Sequence, residues 1–168
     1  MHQANCFSTM GAGIAKLIAE LYPEAEIADR EYIDKPEDKL GKFSFATVKN
    51  ISIVNLYGQF HYGRGKQTNY KMLEKAINDF IEFAKENKIN MDKIGVPYKM
   101  GCGLAGGDWA IVEKILFEQS EKHNLNIYIY QLQKETNRLK LNHLELENNS
   151  IILRTNKPLL NSITKEFT

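Results

Sequence analysis

Apolar positions along this chain switch between two periods, and the switching predicts alternating α and β segments. Met10, Ile14, Leu17, Ile18 and Leu21 recur at helical spacing, and Pro23 reads as the stop. Residues 24–42 are charged and hold Pro36 and Gly41, which predicts a helical turn plus a surface loop. Phe43 to Val48 and Ile51 to Leu56 read as strands, and the Lys49-Asn50 connection between them suits a tight hairpin. A glycine-rich stretch, Gly58 to Lys66, leads to a helix opening near Thr68 or Asn69, both good N-caps. Leu73, Ala76, Ile77, Phe80 and Ala84 give that helix one apolar face. Lys93 to Pro97 predicts a short buried strand, and Gly101 to Gly107 a second glycine loop. Trp109, Val112, Ile115 and Leu116 mark another helix, and Leu125 to Leu132 a last strand. The alternation predicts an α/β layered fold over residues 1–132. Residues 133–168 are an Asn- and Lys-rich extension without glycine. There Leu144, Leu146, Ile151 and Leu153 around Asn148-Asn149 leave two readings, a small hairpin or a poorly packed tail.

Composition narrows the function classes. At 168 residues, with 43% apolar and 26% charged, the chain is long and apolar enough to bury one domain's core. Lys plus Arg number 22 against 21 for Asp plus Glu, so no basic excess points to direct sequence-specific nucleic-acid binding. No apolar run approaches the roughly 20 residues of a membrane helix. The start, Met1 to Cys6, has no signal-peptide pattern, so the expectation is a cytoplasmic protein without membrane association. Cys6 and Cys102 are the only cysteines, too few for a zinc framework, and no metal or cofactor is expected.

The chemistry gathers at two glycine loops. The first, Met10-Gly11-Ala12-Gly13-Ile14-Ala15, follows a β-like segment and opens a helix. Small residues there admit a ligand close to the backbone, and N–H groups at a helix start attract phosphate. The same glycines also serve as plain turn chemistry. The sequence is neither a P-loop, which ends in Gly-Lys-Ser/Thr, nor a Rossmann fingerprint. The second loop, Gly101-Cys102-Gly103-Leu104-Ala105-Gly106-Gly107-Asp108-Trp109, also runs from strand to helix. Two such loops at the carboxyl ends of strands can face one crevice and cradle two sides of a diphosphate.

His2-Gln3-Ala4-Asn5-Cys6, Met10 to Ala15, Asn55-Leu56-Tyr57-Gly58-Gln59, and Gly101 to Trp109 together resemble a macro domain, in order and in spacing over residues 2–132. The likeness is nearest to the branch holding ADP-ribose-1″-phosphate phosphatases and their phage and bacterial relatives. It implies a three-layer α/β/α fold with a mixed sheet and a cleft for ADP-ribose or ADP-ribose-1″-phosphate. ADP-ribosylated macromolecules are implied as further partners. By this resemblance Asn5 would hold the distal ribose, its other reading being a turn-forming Asn. Gly11, Ala12, Gly13 and Ile14 would line one side of the diphosphate; Gly101, Cys102, Gly103, Leu104, Ala105, Gly106 and Gly107 would line the other. Gln59 falls within a matched block beside them. Phe60 and Tyr62 would pack on ribose or adenine, or simply anchor their loop.

Asp108 is the first candidate to orient or deprotonate an attacking water, although an Asp before a helix is also an ordinary N-cap. Asn5 and His61 complete the catalytic set, with a surface-loop role as the other reading of His61. Arg64 and Lys66 are either ligands of a terminal phosphate or solvated loop residues. His2 reads as core-facing or terminal, His123 and His143 as solvent residues, and the two cysteines as packing residues rather than nucleophiles. Macro domains normally begin with a further strand whose Gly-Asp pair holds adenine, and the matched blocks start after it. The Lys and Asp of the glycohydrolase branch fall near Gln59 and Ala105, which disfavours a lysine-adduct mechanism.

Overall fold

Strands rich in β-branched and aromatic residues pair where a two-residue turn lets them. In the computed structural model, which describes residues 1–32, 35–131 and the strand Ile151–Ile152, β2 (Phe43–Val48) and β3 (Ile51–Gln59) form the expected hairpin. Val48 lies opposite Ile51, and Lys49 takes the left-handed turn position at φ +54°. β1 (His2–Asn5) adds in parallel to the other edge of β3, giving the order β1-β3-β2. A second group joins β4 (Ile94–Pro97) in parallel to β5 (Ile127–Tyr130), with β6 (Ile151–Ile152) antiparallel to β5. The two groups meet where the Met1 nitrogen donates to the Gly95 carbonyl, 2.7 Å.

Side-chain alternation along β3 explains the layers. Val54 and Leu56 face α4 (Tyr70–Glu86), where Leu73, Ile77, Phe80 and Ile81 meet them. α5 (Trp109–His123) adds Val112, Ile115 and Leu116 to this core, over Ile94, Val96, Ile127 and Ile129. Asn55 and Tyr57 face the other way, toward α2 (Pro23–Tyr32) and α3 (Pro36–Lys39), and α1 (Gly13–Leu21) packs on α2 and β1. The result is helices, mixed strands, helices. No helix among the described residues is long and apolar enough to cross a membrane.

Three sequence expectations are corrected. Residues 24–42 hold two helices rather than a turn and a loop, because Pro23 opens α2 instead of only ending α1. Their charged residues are not all at the surface: Asp29 and Lys39 are 1% and 2% exposed. The cause is a buried pairing that sequence distance hides. Lys39 Nζ donates to Asp29 O (2.6 Å), Asp29 Oδ1 (3.3 Å) and Ser8 Oγ (2.5 Å), while Tyr57 OH donates to Asp29 Oδ1 (2.7 Å). His123 is buried rather than solvated, held against Lys85 Nζ (2.8 Å) and Asn78 Oδ1 (3.1 Å). The amphipathic α1 forms as expected, yet none of its residues is fully buried. His143 and the hairpin around Asn148-Asn149 lie outside the described residues.

Candidate ligand cleft

The first glycine loop sits between β1 and α1, and its shape is set from below. Asn5 Oδ1 accepts from the Phe7 and Thr9 nitrogens (3.0 and 3.3 Å), and its Nδ2 donates to the Thr9 carbonyl (2.8 Å). This closes the turn that carries the chain, through Ser8 at φ +52°, toward Gly11. Ser8 Oγ is itself caught in the buried Asp29–Lys39 pair. Gly11, Ala12 and Gly13 are exposed, and Ala12, the N-cap of α1, offers no side-chain cap. The amides of the first helical turn therefore lack an acceptor from the cap, the arrangement that favours an anion.

The second loop depends on its glycines. Gly101 and Gly106 adopt φ +71° and +65°, where an L side chain is strained. A Cβ on Gly107 would stand 2.6 Å from the Gly101 carbonyl, and one on Gly106 would stand 3.2 Å from the Lys66 Cα. Ala105 is buried; its carbonyl accepts from the Gln67 and Thr68 nitrogens (2.8 and 3.1 Å), which ties this loop to the start of α4. Gly103 and Leu104 stand proud, Leu104 at 72% exposure. The two loops face one another: a Cβ on Gly13, at φ +59°, would lie 3.7 Å from Leu104 Cδ1.

Several predicted polar residues turn inward to their own chain. Asp108 caps α5, its Oδ1 accepting from Ala110 N (2.9 Å), while its own N–H donates to Tyr70 OH (2.8 Å). Gln59 Oε1 accepts from Gln3 Nε2 (2.8 Å), and its Nε2 donates to the His61 carbonyl (2.8 Å). His61 is exposed and lies against Phe7, ring centroids 4.6 Å apart, in a cluster with Tyr62 and Phe60. Phe60 is half-buried and packs on Ala4, Cys6 and Tyr57, while Tyr62 is exposed. Arg64 is exposed, and Lys66 Nζ sits 4.3 Å above the Tyr70 ring. Burial pushes the Cys6 thiol up to about 11, and also raises Cys102. Both thiols point at carbonyls, of Gln59 and Met100, and neither has the character of a nucleophile.

The sequence points to Gln3 only as part of a matched block and to Thr68 only as a candidate N-cap; neither is marked as a buried link. Both are buried beneath the second glycine loop, where Thr68 Oγ1 donates to the Gly101 carbonyl (2.6 Å) and accepts from Gln3 Nε2 (2.9 Å). The available signal was a short strand, His2-Gln3-Ala4-Asn5, with three polar residues, all of which turn out to be buried. Polar groups in a buried strand must find partners.

A separate apolar groove of about 990 Å³ starts at Ile14 and at the carboxyl ends of β4 and β5, with Pro97, Tyr98 and Tyr130. It runs past Met1 to Ile51, Ile89 and Met91. Glycine loops at strand ends, opening helices across one cleft, define an α/β protein with its crevice at the strand ends, where such folds generally place a ligand. The chain belongs to the macro domain family, whose model matches residues 1–116. It is 35% identical over 127 residues to the uncharacterized 17.5 kDa protein of the tk-vs intergenic region of Enterobacteria phage T4, covering 72% of this chain and 79% of that one. Among solved structures it is similar to the macrodomain of Mycobacterium tuberculosis DarG (TM-score 0.65, 25% identity, 78% of this chain and 86% of that one). It is also similar in fold to Thermosipho africanus DarTG in complex with ADP-ribose (TM-score 0.65, 20% identity, 81% of this chain and 38% of that one).

Proposed function

We propose that this protein binds ADP-ribose between the two glycine loops and hydrolyses ADP-ribose-1″-phosphate or a related ADP-ribosyl ester. The facing of Gly13 and Leu104 across one cleft, with an uncapped helix start beneath it, carries the reading. The diphosphate would accept from N–H groups of Gly13 to Ala15 on one side and of Gly103 to Ala105 on the other, the Gly106 N–H being spent on the Gly103 carbonyl (3.0 Å). The adenosine end would enter the groove mouth, against Ile14, Pro97 and Tyr130. The ADP-ribose seen with Thermosipho africanus DarTG supports this choice of ligand. In the hydrolytic step a water oxygen bonds to the terminal phosphorus, the bond from that phosphorus to the ribose 1″ oxygen breaks, and a proton from the water passes to the 1″ oxygen. The products are ADP-ribose and inorganic phosphate. The Asp108 carboxylate would orient that water with the oxygen not used in capping. Residues 1–132 would form the macro unit and residues 133–168 an extension of it.

Calorimetric titration with ADP-ribose, with AMP and ribose 5-phosphate as controls, tests the binding. Selective micromolar affinity is expected, and equal affinity for AMP would refute the diphosphate cradle. A second reading, a module that binds ADP-ribose without turnover, is favoured by the inward commitment of Asn5, Gln59 and Asp108. Phosphate release by the wild type and by Asp108→Ala separates the two. Release lost with binding kept supports catalysis; no release from either protein supports the module.

A further inference from the structure

Gln3 is 8% exposed on β1, and its Nε2 donates to two acceptors at once, Gln59 Oε1 (2.8 Å) and Thr68 Oγ1 (2.9 Å). Each link has a fixed direction. Gln59 must accept because its own Nε2 donates to the His61 carbonyl (2.8 Å). Thr68 must accept because its single hydroxyl proton goes to the Gly101 carbonyl (2.6 Å), which also receives Gly107 N (2.9 Å). The remaining Gln3 atom, Oε1, is buried without a hydrogen-bond partner and faces the open sides of Gly58 and Gly101. A Cβ on either glycine would collide with it.

We propose that Gln3 is a positioning residue: one buried amide on β1, the strand that leads into the first glycine loop, holds both the aromatic loop around His61 and the second glycine loop, and so sets where the second loop stands across the ligand cleft. The proposal rests on the reading of that cleft as the ligand site. A purely packing role would be met by any side chain of similar volume. A relay requires the Nε2 donor, and the orphaned Oε1 shows that the amide is kept at a cost. Gln3→Met preserves the volume, removes both donated hydrogen bonds and removes the orphan acceptor. Those effects on stability oppose each other, so the thermal midpoint is expected to stay within a few degrees while the loops lose their tether.

The test combines hydrogen exchange of the ligand-free protein with ADP-ribose titration, on Gln3→Met, Thr68→Val and Thr68→Ser. Gln3→Met should speed amide exchange at residues 60–65 and 101–107 together and weaken ADP-ribose binding by about tenfold. Thr68→Val, which cuts only the arm to Gly101, should speed exchange at residues 101–107 alone. Thr68→Ser keeps the hydroxyl and should match the wild type. Wild-type exchange in Gln3→Met, or faster exchange spread evenly over the chain, would overturn the relay. If Gln3→Met does not fold, the Thr68→Val and Thr68→Ser contrast decides: faster exchange confined to 101–107 in the former alone supports the relay, and any other pattern refutes it. Absence of ADP-ribose binding by the wild type would sink the functional reading, and the exchange pattern would still decide the relay.

Discussion

Lys39→Met is the most informative single change, because it tests a buried charge pair that shapes the first glycine loop. Lys39 and Asp29 are 2% and 1% exposed, with 3.3 Å between Nζ and Oδ1. At an effective dielectric of about 20, that separation gives an attraction of about 5 kcal/mol, which desolvation of both ions opposes. The intact pair is therefore close to neutral for stability. Removing only the ammonium leaves Asp29 charged and buried, with Oδ2 already lacking a hydrogen-bond partner. The expected cost is about 3–5 kcal/mol, a large part of the roughly 5–15 kcal/mol that stabilises a domain. At about 2–4 °C per kcal/mol, the midpoint should fall by roughly 6–20 °C. Urea and thermal unfolding, followed by circular dichroism and by the single tryptophan, Trp109, measure it. The double variant Lys39→Met/Asp29→Asn should recover part of the loss, since the amide carries no charge yet still accepts from Tyr57. A Lys39→Met cost below about 1 kcal/mol, or a double variant no better than the single, would refute a buried, charged pair.

Other outcomes follow from the same structure. Burial holds the His2 imidazole down at about 4, and its Nδ1 has no hydrogen-bond partner while Nε2 meets Asn55 Oδ1 at 2.7 Å. The stability due to neutral His2 is thus fully present above the ordinary value near 6.5 and is lost as pH falls toward 4. The loss is on the order of 3 kcal/mol; urea unfolding across that window should flatten in His2→Gln, and an unchanged slope would contradict the assignment. Asp108→Ala should cost about 0.5–2 kcal/mol through the lost cap, while Asp108→Asn should retain stability and lose phosphate release, as read by thermal melts and a phosphate assay. Gly106→Ala, at φ +65° and against the Lys66 backbone, should destabilise the protein by at least about 1 kcal/mol and weaken ADP-ribose binding in calorimetry.

How far the sequence could be read depended on the range of each interaction. The hairpin β2–β3 and the caps Asn69 and Asp108 are local events, and their residues announce them: Asn69 Oδ1 accepts from Met72 N at 3.2 Å, as its position before α4 predicts. The glycine loops were legible for the same reason, since φ and close approach select residue type position by position. His123 and the 24–42 segment were misread because a charged or polar side chain far along the chain reads as solvated until its partner is known.

By itself the sequence determined the alternation of elements, the two glycine loops between strand and helix, and the family to which those blocks belong. Periodicity, capping and glycine conformation are short-range, so they are written in neighbouring residues. Only the tertiary structure decided that Lys39 meets Asp29 beneath Ser8, that Gln3 spans Gln59 and Thr68, and that Leu104 faces Gly13. Those contacts join residues 10 to 91 positions apart. Their energies depend on burial and mutual geometry, which exist only once the strands and helices have packed.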